Sequence, residues 1–313
     1  MDFSIPSGLR IFITGCNGLL GQRLTQSLAE SNHIFGVDLQ PQMHLQNTPC
    51  EYFPQDITRR DEIIELVAKI QPNYIINTAA MTDVDGCEEQ KDRCWRINVL
   101  AVEHLIRAAK KAKAHLIHIS SDYVFDGTSP PYWEEAPTKP LGFYGKSKLA
   151  SENELRGAEV PHTIIRTQVL YGVGDNIRPN FVDFVLRRLQ AGDVVKIVAD
   201  QRGNPTLADD LASGIARVMV LQKEGIFHIS GSESVTRHEF ARRIAIEFGE
   251  NPDRIQPIKT AELAQKSPRP ADSTFTLDKI VRELSFLPRG IQEGLREYHR
   301  QWNARKKAYG GKI

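Results

Sequence analysis

A glycine-spaced turn near the start of the chain constrains the fold most. Residues 9–14 read Leu-Arg-Ile-Phe-Ile-Thr, a short β-branched and aromatic run of the kind that forms a buried strand. Gly15-Cys16-Asn17-Gly18-Leu19-Leu20-Gly21 follows directly, and Leu19, Leu20, Leu24 and Leu28 then recur at helical spacing. A strand, a glycine turn and a helix in that order let a diphosphate approach the backbone closely. The helix start offers it free N–H groups and a positive dipole end. Gly15, Asn17, Gly18, Leu19, Leu20 and Gly21 are therefore expected to hold a dinucleotide.

The alternation continues. Residues 33–39, 50–55, 74–80, 114–125 and 161–171 read as further strands. Helices are expected at 58–71 (capped by Thr58), 93–112 and 144–155. Strands alternating with helices pair in parallel through right-handed crossovers. Residues 1–172 thus read as an α/β, Rossmann-type, doubly wound parallel sheet. Past Gly174 the pattern is irregular: helix 180–190, strand 194–199, helix 207–222 and strand 226–230. Thr236-Arg237-His238-Glu239 reads as a capping box opening a helix to residue 248, and helices 277–284 and 291–307 close the chain. A smaller C-terminal α/β substrate lobe is expected from 173–204 and 223–313, with 205–222 packing back on the first domain. The 313 residues exceed what one core usually holds, about 250–300.

Asp38 ends the second strand, roughly 20 residues past the glycines, where an acid accepts hydrogen bonds from an adenosine ribose and repels a 2′-phosphate. Leu39, Gln40 and Pro41 add no arginine, which favours NADH over NADPH. Ala79 and Ala80 end the fourth strand with side chains small enough for a flat cofactor, and Asn98 lies in the first turns of the next helix. The acidic stretch 82–92 lacks the ligand spacing of a calcium loop and is expected to be a solvent-facing or substrate-edge loop. His115 and His118 are three apart in a strand and face opposite sides, so they share no metal and read as packing. Ser120 and Ser121 fall at the carboxyl end of the fifth strand, the edge where open α/β sheets bind ligands. Tyr144 and Lys148 are four apart, on one face of a helix. An ammonium beside a phenol lowers its pKa, so Tyr144 is a candidate proton donor and Ser121 a candidate carbonyl ligand. Lys146 points elsewhere.

A net charge of +1 gives no electrostatic case for nucleic acid, and Arg305-Lys306-Lys307 reads as a solvated helix end. The four cysteines form no Cys-x-x-Cys, so no metal site is suggested, and scattered free thiols suit a reducing cytosol. No apolar run reaches the ~20 residues of a membrane span, and residues 1–10 show no leader pattern. A cytoplasmic protein is expected; a helix face such as 100–109 serves either as core or as the surface of a homodimer, and core is the safer reading.

Several strings together resemble the dTDP-4-dehydrorhamnose reductase family of extended short-chain dehydrogenase/reductases. They are Asn77-Thr78-Ala79-Ala80, Thr82-Asp83-Val84-Asp85, Ser121-Asp122-Tyr123-Val124-Phe125-Asp126-Gly127, Tyr144-Gly145-Lys146-Ser147-Lys148, Asp200-Gln201-Arg202-Gly203-Asn204-Pro205-Thr206 and Arg269-Pro270. The resemblance covers essentially the whole chain. It implies NAD(P)H-dependent reduction of the C4 ketone of a nucleotide-linked deoxysugar. Ser121, Tyr144 and Lys148 would be catalytic, with Tyr144 and Lys148 also meeting the cofactor. It further implies that Asp56 and Ile57 contact adenine, and that Thr82, Val84, Ser121, Asp122, Tyr123, Gln201, Thr206 and Arg269 face substrate. The chain departs from the family at Gly86, where lysine is frequent, and at Gln168-Val169, where Ser-Trp is frequent. The string from Ile119 to Thr128 and Val169-Leu170-Tyr171-Gly172 also resemble the regulatory β-subunit of methionine adenosyltransferase, which implies the alternative of a dinucleotide-binding regulatory protein. A dehydratase would carry Glu after the acid at 122, where this chain has Tyr123.

Overall fold

The computed structural model describes residues 7–308. Its first half runs β1 (Arg10–Thr14), α1 (Leu19–Leu28), β2 (His33–Asp38), β3 (Glu51–Pro54), α2 (Arg60–Ile70) and β4 (Tyr74–Asn77). It continues through α3 (Val84–Glu89), α4 (Lys91–Trp95), α5 (Ala101–Ala112), β5 (His115–Ser121), α6 (Phe143–Arg156) and β6 (His162–Thr167). The second half begins β7 (Leu170–Tyr171), α7 (Phe181–Gln190), β8 (Val195–Val198), β9 (Arg202–Gly203), β10 (Thr206–Leu207) and α8 (Ala208–Val220). It ends β11 (Gly225–His228), β12 (Val235–Thr236), α9 (Arg237–Glu247), β13 (Ile255–Ile258), α10 (Asp278–Leu284) and α11 (Ile291–Ala308).

Seven parallel strands form the main sheet in the order β11-β6-β5-β4-β1-β2-β3. The chain leaves β1 toward one edge and β4 toward the other, so a crevice opens beyond the carboxyl ends of these two strands. Helices cover both faces, which is why the central strands read as nearly unbroken apolar runs. On one face Leu24 of α1, Leu211 and Ile215 of α8, and Ile280 and Leu284 of α10 pack with Ile13 and Ile76. On the other, Val67 of α2, Val102 and Leu105 of α5, and Leu155 of α6 pack with Phe12, Ile75 and Ile164. The apolar face of α5 is therefore core. A second core joins Leu186 of α7, Phe240 and Ile244 of α9, and Leu295 and Tyr298 of α11 against β8.

Several expectations are corrected. Strand β11 and helix α10, read with the C-terminal lobe, belong to the main sheet and its cover. Stretch 82–92 holds α3 and α4 rather than a loop, because the Asp83 carboxylate accepts from the Gly86 N–H (3.1 Å) and starts a helix. The expected helix 93–112 is broken by a π turn at Arg96–Leu100. Thr58 does not cap α2: Arg59 stands at the N-cap, and the Thr58 N–H is drawn to Asp56 Oδ1 (2.8 Å). Thr236 caps α9 through the Glu239 N–H (3.1 Å), but the Glu239 carboxylate pairs with Arg243 (2.6 Å), so the box is only half made.

Candidate active site

A cleft of about 500 Å³ opens at the switch between β1 and β4. Gly15, Gly18, Asp38, Asp56, Ile57, Ala79 and Ala80 line it, together with Gln55, Thr58 and Thr78. Gly15 adopts φ +68°, and a Cβ there would lie 2.8 Å from the Ala79 nitrogen, so only glycine lets β1 and β4 turn this closely. Gly18 is the N-cap of α1 without a side-chain hydrogen bond, which leaves the first-turn N–H groups around Leu19, Leu20 and Gly21 available to an anion. Asp38 is anchored by the Asn17 N–H (3.1 Å) at the rim. These features fit a nicotinamide dinucleotide: a glycine-lined turn, a helix start, an acid at the rim and two alanines.

Two expected cofactor residues have side-chain partners within the fold. The Asn17 side chain braces residues 40–44, donating to the Gln42 carbonyl (3.0 Å) and accepting from the His44 N–H (2.8 Å). Asn98 is buried in the π turn, where it accepts from the Met81 N–H (2.8 Å) and donates to Ser147 Oγ (3.0 Å). It ties the end of β4 to α6. Arg93, Arg96 and Ile97, at helical spacing, line the cleft and were not anticipated. The π turn that presents them slips the register by one residue, which a periodicity reading passes over.

Tyr144 and Lys148 stand one turn apart on α6, both buried. Glu88 of α3 accepts the Phe143 N–H (2.6 Å) and fixes where α6 begins. A Cβ at Gly145 would lie 2.1 Å from the Tyr123 carbonyl, so α6 sits hard against the turn that follows β5. The Tyr144 phenol stands beside Ser121, and its ring meets Tyr123 edge-on at 5.5 Å. Burial raises the phenol pKa, opposed by the neighbouring Ser121 hydroxyl, so the expected lowering by Lys148 is reversed. Burial also pushes Lys148 down to about 8, against the opposing pull of Glu152, Cys94 and Cys87. Lys148 Nζ lies 3.5 Å from His118 Nε2.

Ser121 Oγ donates to Asp122 Oδ1 (2.9 Å) and accepts from the Tyr123 N–H (3.2 Å). Ser273 Oγ donates to Asp122 Oδ2 (2.6 Å), and burial raises the Asp122 pKa. Val84 packs with Tyr144, Cys87 and Cys94, while Thr82 is exposed nearby in sequence. Arg269 donates to Asp85 Oδ1 (2.6 Å) and also reaches Tyr123. The Arg269 hydrogen bond holds the Asp85 carboxyl below its usual range.

Residues 9–303 match the family model for the RmlD substrate binding domain. This chain belongs to the RmlD family. It is an NAD(P)-dependent reductase of nucleotide sugars. It is 33% identical over 299 residues to the dTDP-4-dehydrorhamnose reductase of Aggregatibacter actinomycetemcomitans, covering 92% of this chain and 97% of that one. Identity is 32% over 290 residues to the spore coat polysaccharide biosynthesis protein SpsK of Bacillus subtilis, covering 92% and 96%. The crystal structure of dTDP-4-dehydrorhamnose reductase from Bacillus anthracis in complex with NADP superposes with a TM-score of 0.83 at 29% identity, covering 94% of this chain and 99% of that one.

Two of the RmlD-like positions are buried with partners of their own. Thr206 is fully buried and donates to the Gln168 carbonyl (2.7 Å). Gln201 is buried and donates to Thr260 Oγ1 (3.0 Å). Both stitch the lobe. The departure at Gln168 has a use: its side chain accepts from the Asn204 N–H (3.0 Å) and donates to the Ser273 carbonyl (3.0 Å). Val169 next to it adopts φ +47°, a left-handed backbone rare for a β-branched residue. All four cysteines are free, and among the described residues no helix is long and apolar enough to cross a membrane.

Proposed function

We propose that this RmlD-family reductase acts on the C4 ketone of a nucleotide-linked 6-deoxysugar, dTDP-4-dehydrorhamnose giving dTDP-rhamnose, and that NADH is its favoured reductant. The observation that carries the reading is Tyr144 buried beside Ser121 at the carboxyl end of β5, with Lys148 one turn beyond. When bound, the reduced cofactor supplies hydride. The backbone from Gly15 to Gly21, Asp38, Asp56, Ile57, Ala79 and Ala80 would hold it.

As negative charge develops on the ketone oxygen, a positioned acid offsets it. Tyr144 is that acid. Its raised pKa keeps the phenol protonated, the state a reduction needs at its start. Ser121 turns its hydroxyl from Asp122 to the same oxygen. Lys148 stands by the phenolate that remains. Thr82, Val84, Tyr123 and Arg269 form the substrate side, and Asp122 acts there through Ser121. Gln201 and Thr206 are not part of this proposal. Asp38 supports NADH, whose ribose carries no 2′-phosphate for it to repel.

Incubation with NADH or NADPH and a panel of 4-keto nucleotide sugars, followed by loss of cofactor absorbance, tests the reading. Turnover fastest on the dTDP-linked 6-deoxy-4-keto sugar is expected. Faster turnover of a sugar on another nucleotide refutes the substrate, and no turnover on any refutes the reaction.

A further inference from the structure

A chain of buried hydrogen bonds runs beneath the site, from β1 through β4 and β5 to α6. Thr14 Oγ1 lies 2.6 Å from Asn77 Oδ1, and Asn77 Nδ2 lies 3.0 Å from His118 Nδ1. His118 Nε2 lies 3.0 Å from Ser151 Oγ, which donates to the Lys148 carbonyl at 2.7 Å. None of the five residues exceeds 2% exposure.

Counting protons decides the direction of each bond. A hydroxyl has one hydrogen, and that of Ser151 goes to a carbonyl, which only accepts. Ser151 Oγ must therefore accept from His118, so Nε2 carries a hydrogen. Burial and the nearby Lys148 keep the imidazole neutral, so Nδ1 carries none and accepts from Asn77. Asn77 then offers its oxygen to Thr14, and each link of the chain joins one donor to one acceptor. The proton-bearing Nε2 is also the atom 3.5 Å from Lys148 Nζ.

We propose that His118 is a positioning residue for Lys148: its Nε2–H, held on Ser151, leaves no lone pair for the lysine nitrogen 3.5 Å away and favours the neutral amine over the ammonium. A protonated Nε2 cannot accept from an ammonium, and the positive end of its N–H dipole repels one. The other ionisable groups facing Lys148 are Glu152 on α6, Cys94 on α4 and Cys87 on α3, and each favours the ammonium. Glu152 is itself engaged by Ser120, Arg156 and Arg166. A lysine divided between its two forms near pH 8 can take up and return a proton as Tyr144 gives its own away. The functional weight of the inference rests on Lys148 working with Tyr144; the proton placement does not.

The test uses the full chain. With 15N-labelled histidine, long-range 15N–1H spectra show which ring nitrogen of His118 is protonated, the signals being assigned by His118→Gln. A proton on Nε2 is expected, and one on Nδ1 overturns the proposal. With 13C-labelled lysine, the Lys148 titration is compared between the wild type and His118→Leu. An upward shift of roughly one pH unit is expected once the opposing N–H dipole is gone. His118→Gln should stay within about half a unit, because the Ser151 oxygen selects the amide's N–H end. No shift or a downward shift in His118→Leu overturns the proposal. Neither spectrum needs turnover. A protein inert on every keto sugar but protonated on Nε2 refutes the proposed function alone. An active one protonated on Nδ1 refutes this inference alone.

Discussion

Replacing Lys148 by methionine is expected to make the protein more stable while removing its activity. In the unfolded chain the ammonium titrates near 10.5, and in the fold burial brings it to about 8. At pH 7 the group is charged in both states, so folding works against the whole difference. At about 1.4 kcal/mol per pH unit the burden is roughly 3 kcal/mol. Methionine fills a similar space without a charge, so Lys148→Met should gain about 2–3 kcal/mol at pH 7 after the loss of a few contacts. The sign of the pH dependence follows from proton counts. Between the folded and unfolded values, the unfolded chain binds the proton and the folded one does not, so wild-type stability rises with pH. The advantage of Lys148→Met should therefore be constant below about pH 7 and shrink from pH 8 toward 10.5. Urea unfolding followed by circular dichroism at pH 6, 7, 8 and 9.5 measures this. A methionine variant less stable than wild type at pH 7, or a gap that ignores pH, refutes the reasoning.

Three more outcomes are expected. Tyr144→Phe should abolish turnover and leave the dinucleotide Kd within about twofold, since only the acidic proton is lost; undiminished turnover rules out Tyr144 as the acid. NADH should bind more tightly than NADPH by fluorescence titration, and Asp38→Ser should narrow the gap by about tenfold; a wild-type preference for NADPH counts against the Asp38 argument. Arg166→Met should lower stability by about 3–5 kcal/mol in urea, because it strands the Glu152 carboxylate that Arg166 holds at 2.9 and 2.7 Å in a site with no solvent exposure. A loss under about 1 kcal/mol shows that Arg156 and Ser120 suffice for that carboxylate.

How far the chain could be read depended on how local each determinant is. The glycine turn, the alternating strands and helices, and Tyr144 with Lys148 are set within a few residues of one another, and these survive in the fold. In sequence Asp83 reads as part of an acidic loop, because its role as a cap depends on one bond to Gly86. The place of β11 depends on pairing with β6, some sixty positions earlier, which no local pattern encodes. Thr206 belongs to a motif that resembles substrate-binding sequence, yet its hydroxyl serves the Gln168 backbone. His118 looked like packing because its value lies in partners on β4 and α6. The Tyr144 phenol was expected to be lowered by a charge one turn away, and burial of the ring outweighs that charge.

The same long reach governs the substrate side, where Ser273 is the residue to change. Ser273 lies 151 positions after Asp122 and donates to it at 2.6 Å. Its carbonyl is held by Gln168, and four residues earlier in the chain Arg269 is held by Asp85. The stretch from Arg269 to Ser273 thus touches both the proposed substrate side and the carboxyl that orients Ser121. Ser273→Ala removes one of the two hydroxyls that stabilise a buried carboxylate, a loss of about 1.5–3 kcal/mol. The Asp122 pKa, already raised by burial, should rise further. A protonated Asp122 gives its hydrogen to Ser121 in place of receiving one, so the hydroxyl network at the ketone reverses. The expected result is a kcat lowered about tenfold or more, with the dinucleotide Kd unchanged because the cleft at Gly15 and Asp38 is untouched. The defect should deepen as pH falls, since acid favours the protonated carboxyl. An unchanged kcat with a weaker sugar KM would mean that Ser273 shapes the pocket and does not reach the chemistry through Asp122.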